Sequence, residues 1–129
     1  MDNITVSIDR LDEAVKTTLD NYNRVITEGT KKEAKESMAR LVKVTKATAP
    51  KHRPRYYKNI SSKKTRDDFF GAEYIWYVKG SEYRLSHLLE NGHAKKGGGR
   101  VAGTHFIKNA SDPILEAYVK AVEEVIQNG

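Results

Sequence analysis

Apolar residues recur at three- and four-residue steps through the first third of the chain. Leu11, Val15, Leu19, Tyr22, Val25 and Ile26 form one stripe, and Ala34, Met38, Leu41 and Thr45 form a second. Such spacing gathers side chains on one face of a helix. The pattern predicts a helix from Asp9 to Ala49, with Asp9 as cap and Asp12 and Glu13 in the positive first turn. Gly29 interrupts it, Thr30-Lys31-Lys32-Glu33 supplies a capping-box pattern, and Pro50 ends it. Unbroken, this element would be about 60 Å long. A compact domain of this size is only about 36 Å across. The expectation is therefore a kink at Gly29, or a part that projects to meet another subunit.

Beyond Pro50 the pattern changes. Lys51-His52-Arg53-Pro54-Arg55 has no apolar residue and reads as an exposed loop. Tyr56 to Ser62 is a candidate strand, and Phe69 to Lys79 alternates clearly, with Phe70, Ala72, Tyr74, Trp76 and Val78 on its apolar face. Gly80-Ser81 opens a short helix with Ser81 as cap. Its buried face is Leu85, Leu88 and Leu89, and Asn91-Gly92 stop it. Lys95 to Arg100 is a glycine-rich basic loop, expected to be flexible, and Thr104 to Ile107 is a short returning strand. A last helix is predicted with Asp112 as cap and Pro113 at its first position. Ile114, Leu115, Tyr118, Val119, Val122 and Ile126 form its stripe. The expected architecture is α+β, with one domain over residues 1–129: a long N-terminal helix, kinked at Gly29 or projecting, a small antiparallel sheet with a short inserted helix, and a closing C-terminal helix.

Charge sharpens this picture. The 129 residues carry a formal charge of +6, unevenly spread. Residues 37–66 hold ten Lys/Arg and no Asp/Glu, while the flanking segments are each slightly acidic. A stretch of this kind attracts phosphate or an acidic protein surface, although charge runs also serve as solvated faces. Lys51, Arg53, Arg55, Lys58, Lys63, Lys64 and Arg66 are the candidate contacts to a subunit, a partner or DNA. Tyr56 and Tyr57 lie among them as candidate stacking residues. No apolar run approaches the roughly 18–20 residues of a membrane span. The N-terminus lacks the basic and apolar regions of a secretory signal.

Catalytic chemistry finds little support. There is no cysteine, so thiolate nucleophiles and cysteine metal sites are excluded. His87 and His93 are six apart with Gly92 between them, unlike the four-residue spacing of a zinc-binding helix. His87 and Glu90 read better as hydrogen-bonding anchors for the glycine loop. Gly97-Gly98-Gly99 lacks the Lys-Ser/Thr sequel of a phosphate-binding loop. Asp67 and Asp68, considered with Glu73 as a magnesium site, point to opposite faces of a strand. A non-enzymatic chain without cofactor, metal or small-molecule substrate is the expectation. A small basic nucleic-acid-binding protein, including a toxin-like ribonuclease that leaves no motif, is the alternative.

Three blocks carry a further signal. Tyr83-Arg84-Leu85-Ser86-His87-Leu88-Leu89-Glu90-Asn91-Gly92-His93-Ala94 is followed by Gly97-Gly98-Gly99-Arg100-Val101-Ala102-Gly103 and by His105-Phe106-Ile107-Lys108-Asn109-Ala110. In order and spacing they resemble the head–tail joining (neck, or tail-completion) proteins of long-tailed, siphovirus-type bacteriophages and prophages. The resemblance is specific over Tyr83–Ala110, and the helix ending at Ala49-Pro50 fits it more loosely. The segment after Pro50 lacks the threonine-glycine pair that many members carry.

The resemblance implies a structural virion protein, made in the bacterial host cytoplasm and residing in the neck or tail. It implies a ring, six- or twelve-fold, between the portal or head-closure proteins and the tail-terminator or tail-tube proteins, with DNA in the lumen. His87, Glu90, Gly92, His93, Gly98, Gly99, Arg100 and His105 are then the motif residues expected to anchor loops and support assembly. No membrane contact is implied.

Overall fold

One unbroken α-helix, α1, spans Asp2–Thr48. At 1.5 Å per residue it is about 70 Å long. The computed structural model describes residues 2–128, with side chains from residue 13 onward. The chain is already helical at Asp9, so the helix does not begin there. The capping role read for Asp9, and the parts read for Leu11 and Asp12, concern side chains outside the described residues. Gly29 does not interrupt the helix, and Thr30–Glu33 is helix interior instead of a new start. The glycine has a different cause. A β-carbon at Gly29 would lie 2.7 Å from Val125 Cγ1, so its absence lets another helix approach closely.

That helix is α4, Phe106–Asn128. It runs antiparallel to α1. Phe106 and Ala110 lie beside Val44 and Thr48, Ile114 and Tyr118 beside Ala34–Leu41, and Val125 beside Gly29. The Tyr22 hydroxyl donates to the carbonyl of Ile126 at 3.0 Å. Two expectations are corrected here. Phe106 and Ile107 open α4, so the strand expected at Thr104–Ile107 does not form. Asp112 and Pro113 lie inside the helix, because the first turn is capped from elsewhere, by Glu90.

Between the two helices in sequence, α2 spans Pro54–Lys58, with Pro54 in the first turn, where its missing N–H costs nothing. Tyr56 and Tyr57 are therefore helical, and the strand expected from Tyr56 begins only at Ile60. Strands β1 (Ile60–Asp68) and β2 (Gly71–Val78) pair antiparallel, from Ile60 opposite Val78 to Asp68 opposite Gly71, with a bulge at Thr65. The inner face of β2 is Ala72, Tyr74, Trp76 and Val78, as the alternation predicts. Phe69 and Phe70 belong to the hairpin turn, and Phe70 is 84 % exposed instead of facing inward.

A 3-10 turn, Gly80–Leu85, leads into α3, Ser86–Asn91. Lys79, not Ser81, precedes the turn, and no side chain caps it. Leu85, Leu88 and Leu89 are half-buried, and Gly92 ends α3 as expected. Strands β3 (Gly92–Ala94) and β4 (Arg100–Ala102) form a second small antiparallel hairpin around the glycine loop. The architecture is α+β. Its core is Ala49, Tyr56, Ile60, Val78 and Phe106, joined by Val42, Trp76, Leu85, Leu89 and Ile107. Tyr56 stands edge-on to Phe106 and bonds the Ser86 hydroxyl at 2.8 Å. The Trp76 indole N–H donates to the fully buried Thr45 hydroxyl, which donates to Leu41 O. None of the described helices is long and apolar enough to cross a membrane.

Candidate assembly surfaces

The sequence blocks from Leu89 to Lys108 close on themselves around one carboxylate. Glu90 accepts hydrogen bonds from the backbone N–H groups of Ile107 and Lys108, each at 2.8 Å. These are orphan donors in the first turn of α4, where the helix dipole also favours negative charge. The Glu90 carbonyl accepts from His105 N–H at 3.0 Å, and Leu89 O accepts from both the backbone and the hydroxyl of Thr104. The backbone passes close here: a β-carbon on Gly92 would collide with the carbonyl of Val101, and one on Gly103 with the backbone of Glu90 and Asn91 at the end of α3. Arg100 reaches Asn91 O at 2.9 Å. Glu90, Gly92, Arg100 and His105 are thus brought together as the joint between α3, the small hairpin and α4.

The remaining motif residues fare differently. His87 is exposed on α3, outside this joint, so it does not anchor the glycine loop as expected. His93 is half-buried, and its Nδ1 has no hydrogen-bond partner among the described residues. His105 adopts a left-handed backbone, φ 51°, to turn the chain into α4. Gly98 and Gly99 sit at the tip of the small hairpin, where the turn is closed by Lys95 and Gly99 through backbone bonds. Among the described residues, no cluster of three or more His, Asp or Glu is placed to hold a metal.

The basic stretch divides into two regions. Lys43, Lys46 and Lys58 surround Tyr57, with the Lys51 ammonium 4.4 Å from its ring centre. Arg53 and Arg55 are exposed beside them. Tyr56, by contrast, is 0 % exposed. Burial raises its pKa above 10.0, and it is not available to stack on a base. Lys63, Lys64 and Arg66 lie on β1 and are largely occupied within the hairpin. Lys63 stands over Tyr77, Lys64 pairs with Asp67 at 2.9 Å, and Arg66 with Asp68 at 3.6 Å. Asp67 also receives Lys31 from α1 at 2.7 Å, and these two lysines lower its pKa from 3.8 to about 2. Asp68 instead accepts from the N–H groups of Phe70 and Gly71, closing the turn. Neither aspartate is free for a magnesium ion.

Sequence periodicity did not reveal a groove of about 340 Å³. Its floor is Ala34, Ser37, Met38 and Leu41 of α1, and its walls are Ala72 and Tyr74 of β2 and Ile114, Leu115 and Tyr118 of α4. The alternating faces of α1, β2 and α4 each hinted at a lining, but only the packing of all three shows that they stop short of closing. Beyond Tyr22, α1 extends about 30 Å past the end of α4. Every residue from Glu13 to Val25 is exposed, including Val15, Leu19, Tyr22 and Val25. The projection expected if the helix stayed unbroken is therefore present. Comparison with models of known families, with curated proteins and with solved structures finds no match.

Proposed function

We propose that this chain is a structural, non-enzymatic protein of a phage head–tail connector, assembling as a ring between the portal complex and the tail. The observation that carries the reading is the joint around Glu90. The three blocks that resemble neck proteins meet there, and the side chains of Glu90 and Arg100 are spent on holding backbone together. A carboxylate that accepts two helix N–H groups is engaged in capping, which favours an architectural role for the motif over a chemical one.

The unpaired surfaces support the same reading. A projecting helix, an open apolar groove and a segregated basic region are features of a subunit that completes itself against neighbours. Closed rings need two different, complementary patches on each subunit. The lysines around Tyr57, with Arg53 and Arg55, are then the surface offered to DNA in the lumen or to an acidic neighbour. The alternative, a basic nucleic-acid-binding protein or toxin-like ribonuclease, retains this surface but loses Tyr56 as a stacking platform.

Light scattering and negative-stain imaging of the purified chain, alone and mixed with portal and tail particles, test the proposal. The expected result is a ring seated in the neck. A chain that joins neither particle, or one that turns over RNA, overturns it.

A further inference from the structure

The basic stretch leaves one surface unmatched. Lys43 and Lys46 of α1 and Lys58 of α2 line a recess of about 420 Å³ together with Ala47 and Tyr57. Lys51 stands over the Tyr57 ring at 4.4 Å. Arg55 lies three residues before Lys58, hence on the same side of α2, and Arg53 immediately precedes that helix. All six cations are exposed. The ion pairs among the described residues use Lys31, Lys64 and Arg66, and none of these six. Residues 37–66 contain no Asp or Glu to neutralise them locally.

Part of this charge has an internal use. Lys46 lies in the last turn of α1 and Lys51 donates to its carbonyl, so both answer the negative end of that helix. Lys43 lies a turn earlier, and α2, with five residues, has little dipole to offset. Like charges held around one recess repel one another, and a bound polyanion relieves that repulsion.

We propose that this recess and its rim bind the phosphodiester backbone of a nucleic acid, irrespective of base sequence. The lack of an apolar centre selects phosphate over an acidic protein. Protein interfaces are built on charge-poor, apolar or aromatic anchors. Val44 is the one exposed large hydrophobic between Arg40 and Lys58, and it lies in the cleft beside Phe106 and Ala110 of α4. Tyr57 is half-buried beneath Lys51 and offers no anchor either. The recess presents lysine ammonium groups, point charges suited to phosphate oxygens, and no Asn or Gln to read base edges. Such binding deepens the connector role proposed above by assigning this surface to DNA instead of an acidic neighbour. It rests on that role only for the place where chain and DNA meet.

Fluorescence anisotropy with labelled DNA duplexes, a labelled single strand and labelled poly-glutamate is the test. With Lys51 engaged on Tyr57, five cations are free. The logarithm of duplex affinity is therefore expected to fall against that of salt with a slope of about −4 to −5, and the single strand with about −3 to −4. Two duplexes of unrelated sequence should bind alike. Lys43→Gln, Lys46→Gln and Lys58→Gln together are expected to flatten the duplex slope to about −2 and to weaken binding about tenfold or more at low salt. Lys16→Gln, Lys32→Gln and Lys120→Gln, the same loss of charge at exposed positions elsewhere, are expected to leave the slope unchanged. Should the first triple variant lose its helical circular dichroism, Arg53→Gln with Arg55→Gln gives a second reading, with the slope reduced by about 2. No duplex binding at about 50 mM salt, tighter binding of poly-glutamate than of DNA, binding of the single strand alone, or equal loss from both triple variants overturns the proposal. Neck particles built with a chain that ignores DNA would remove this site and leave the connector role. A chain that binds DNA in this way but joins no particle would do the reverse.

Discussion

Glu90 shows how much one side chain can organise. It is separated by seventeen residues from Ile107, yet it supplies the cap for the first turn of α4. Replacing it with alanine leaves two N–H donors at a partly buried helix end without a partner. Glu90→Ala is therefore expected to destabilise the fold by about 2 kcal/mol, and Glu90→Gln by roughly half of that, read from urea unfolding midpoints. Gly29 acts by what it lacks. Gly29→Leu is expected to push α4 away near Val125 and cost about 1–3 kcal/mol. If the close approach is the cause, Val125→Ala in the same chain should restore much of the loss.

Among the elements, the main hairpin is tied to α1 by Lys31–Asp67 as well as by its inner face. Because the folded pKa of Asp67 is lowered to about 2, its contribution is present above about pH 4 and disappears as pH falls towards 2. Asp67→Asn should accordingly unfold more readily than wild type at pH 6, and the two should converge near pH 2 in matched thermal melts. The elements also mark the limits of pattern reading. Local periodicity sufficed for the body and the end of α1, for the alternating face of β2 from Ala72 to Val78 and for the stop at Gly92, since each is decided by neighbours in sequence. It failed at Asp112-Pro113, where a good local cap was overruled by a carboxylate from α3. At Gly29 the break signal was in fact a crossing point. At Tyr56 and Tyr57, β-prone residues follow a proline that starts a helical turn. The Glu90 joint itself was visible only as a set of motif residues, because the partners of Glu90 are backbone groups and leave no mark in composition.

For the molecule as a whole, the salient property is asymmetry of support. From Gly29 onward, α1 has α4 and the hairpin against it, whereas the turns from Glu13 to Asn21 have solvent on every side. A helix segment without tertiary partners is marginal in water. In dilute solution, ellipticity at 222 nm should therefore fall in two stages: a shallow, gradual loss from the unsupported turns, then a cooperative step from the body. Raising the protein concentration should abolish the first stage. A single cooperative step at every concentration would contradict this description. If the first stage does vanish at high concentration, the uncovered turns act as a gauge of company, coiling and uncoiling with the local abundance of their own kind while the rest of the subunit stays indifferent to it.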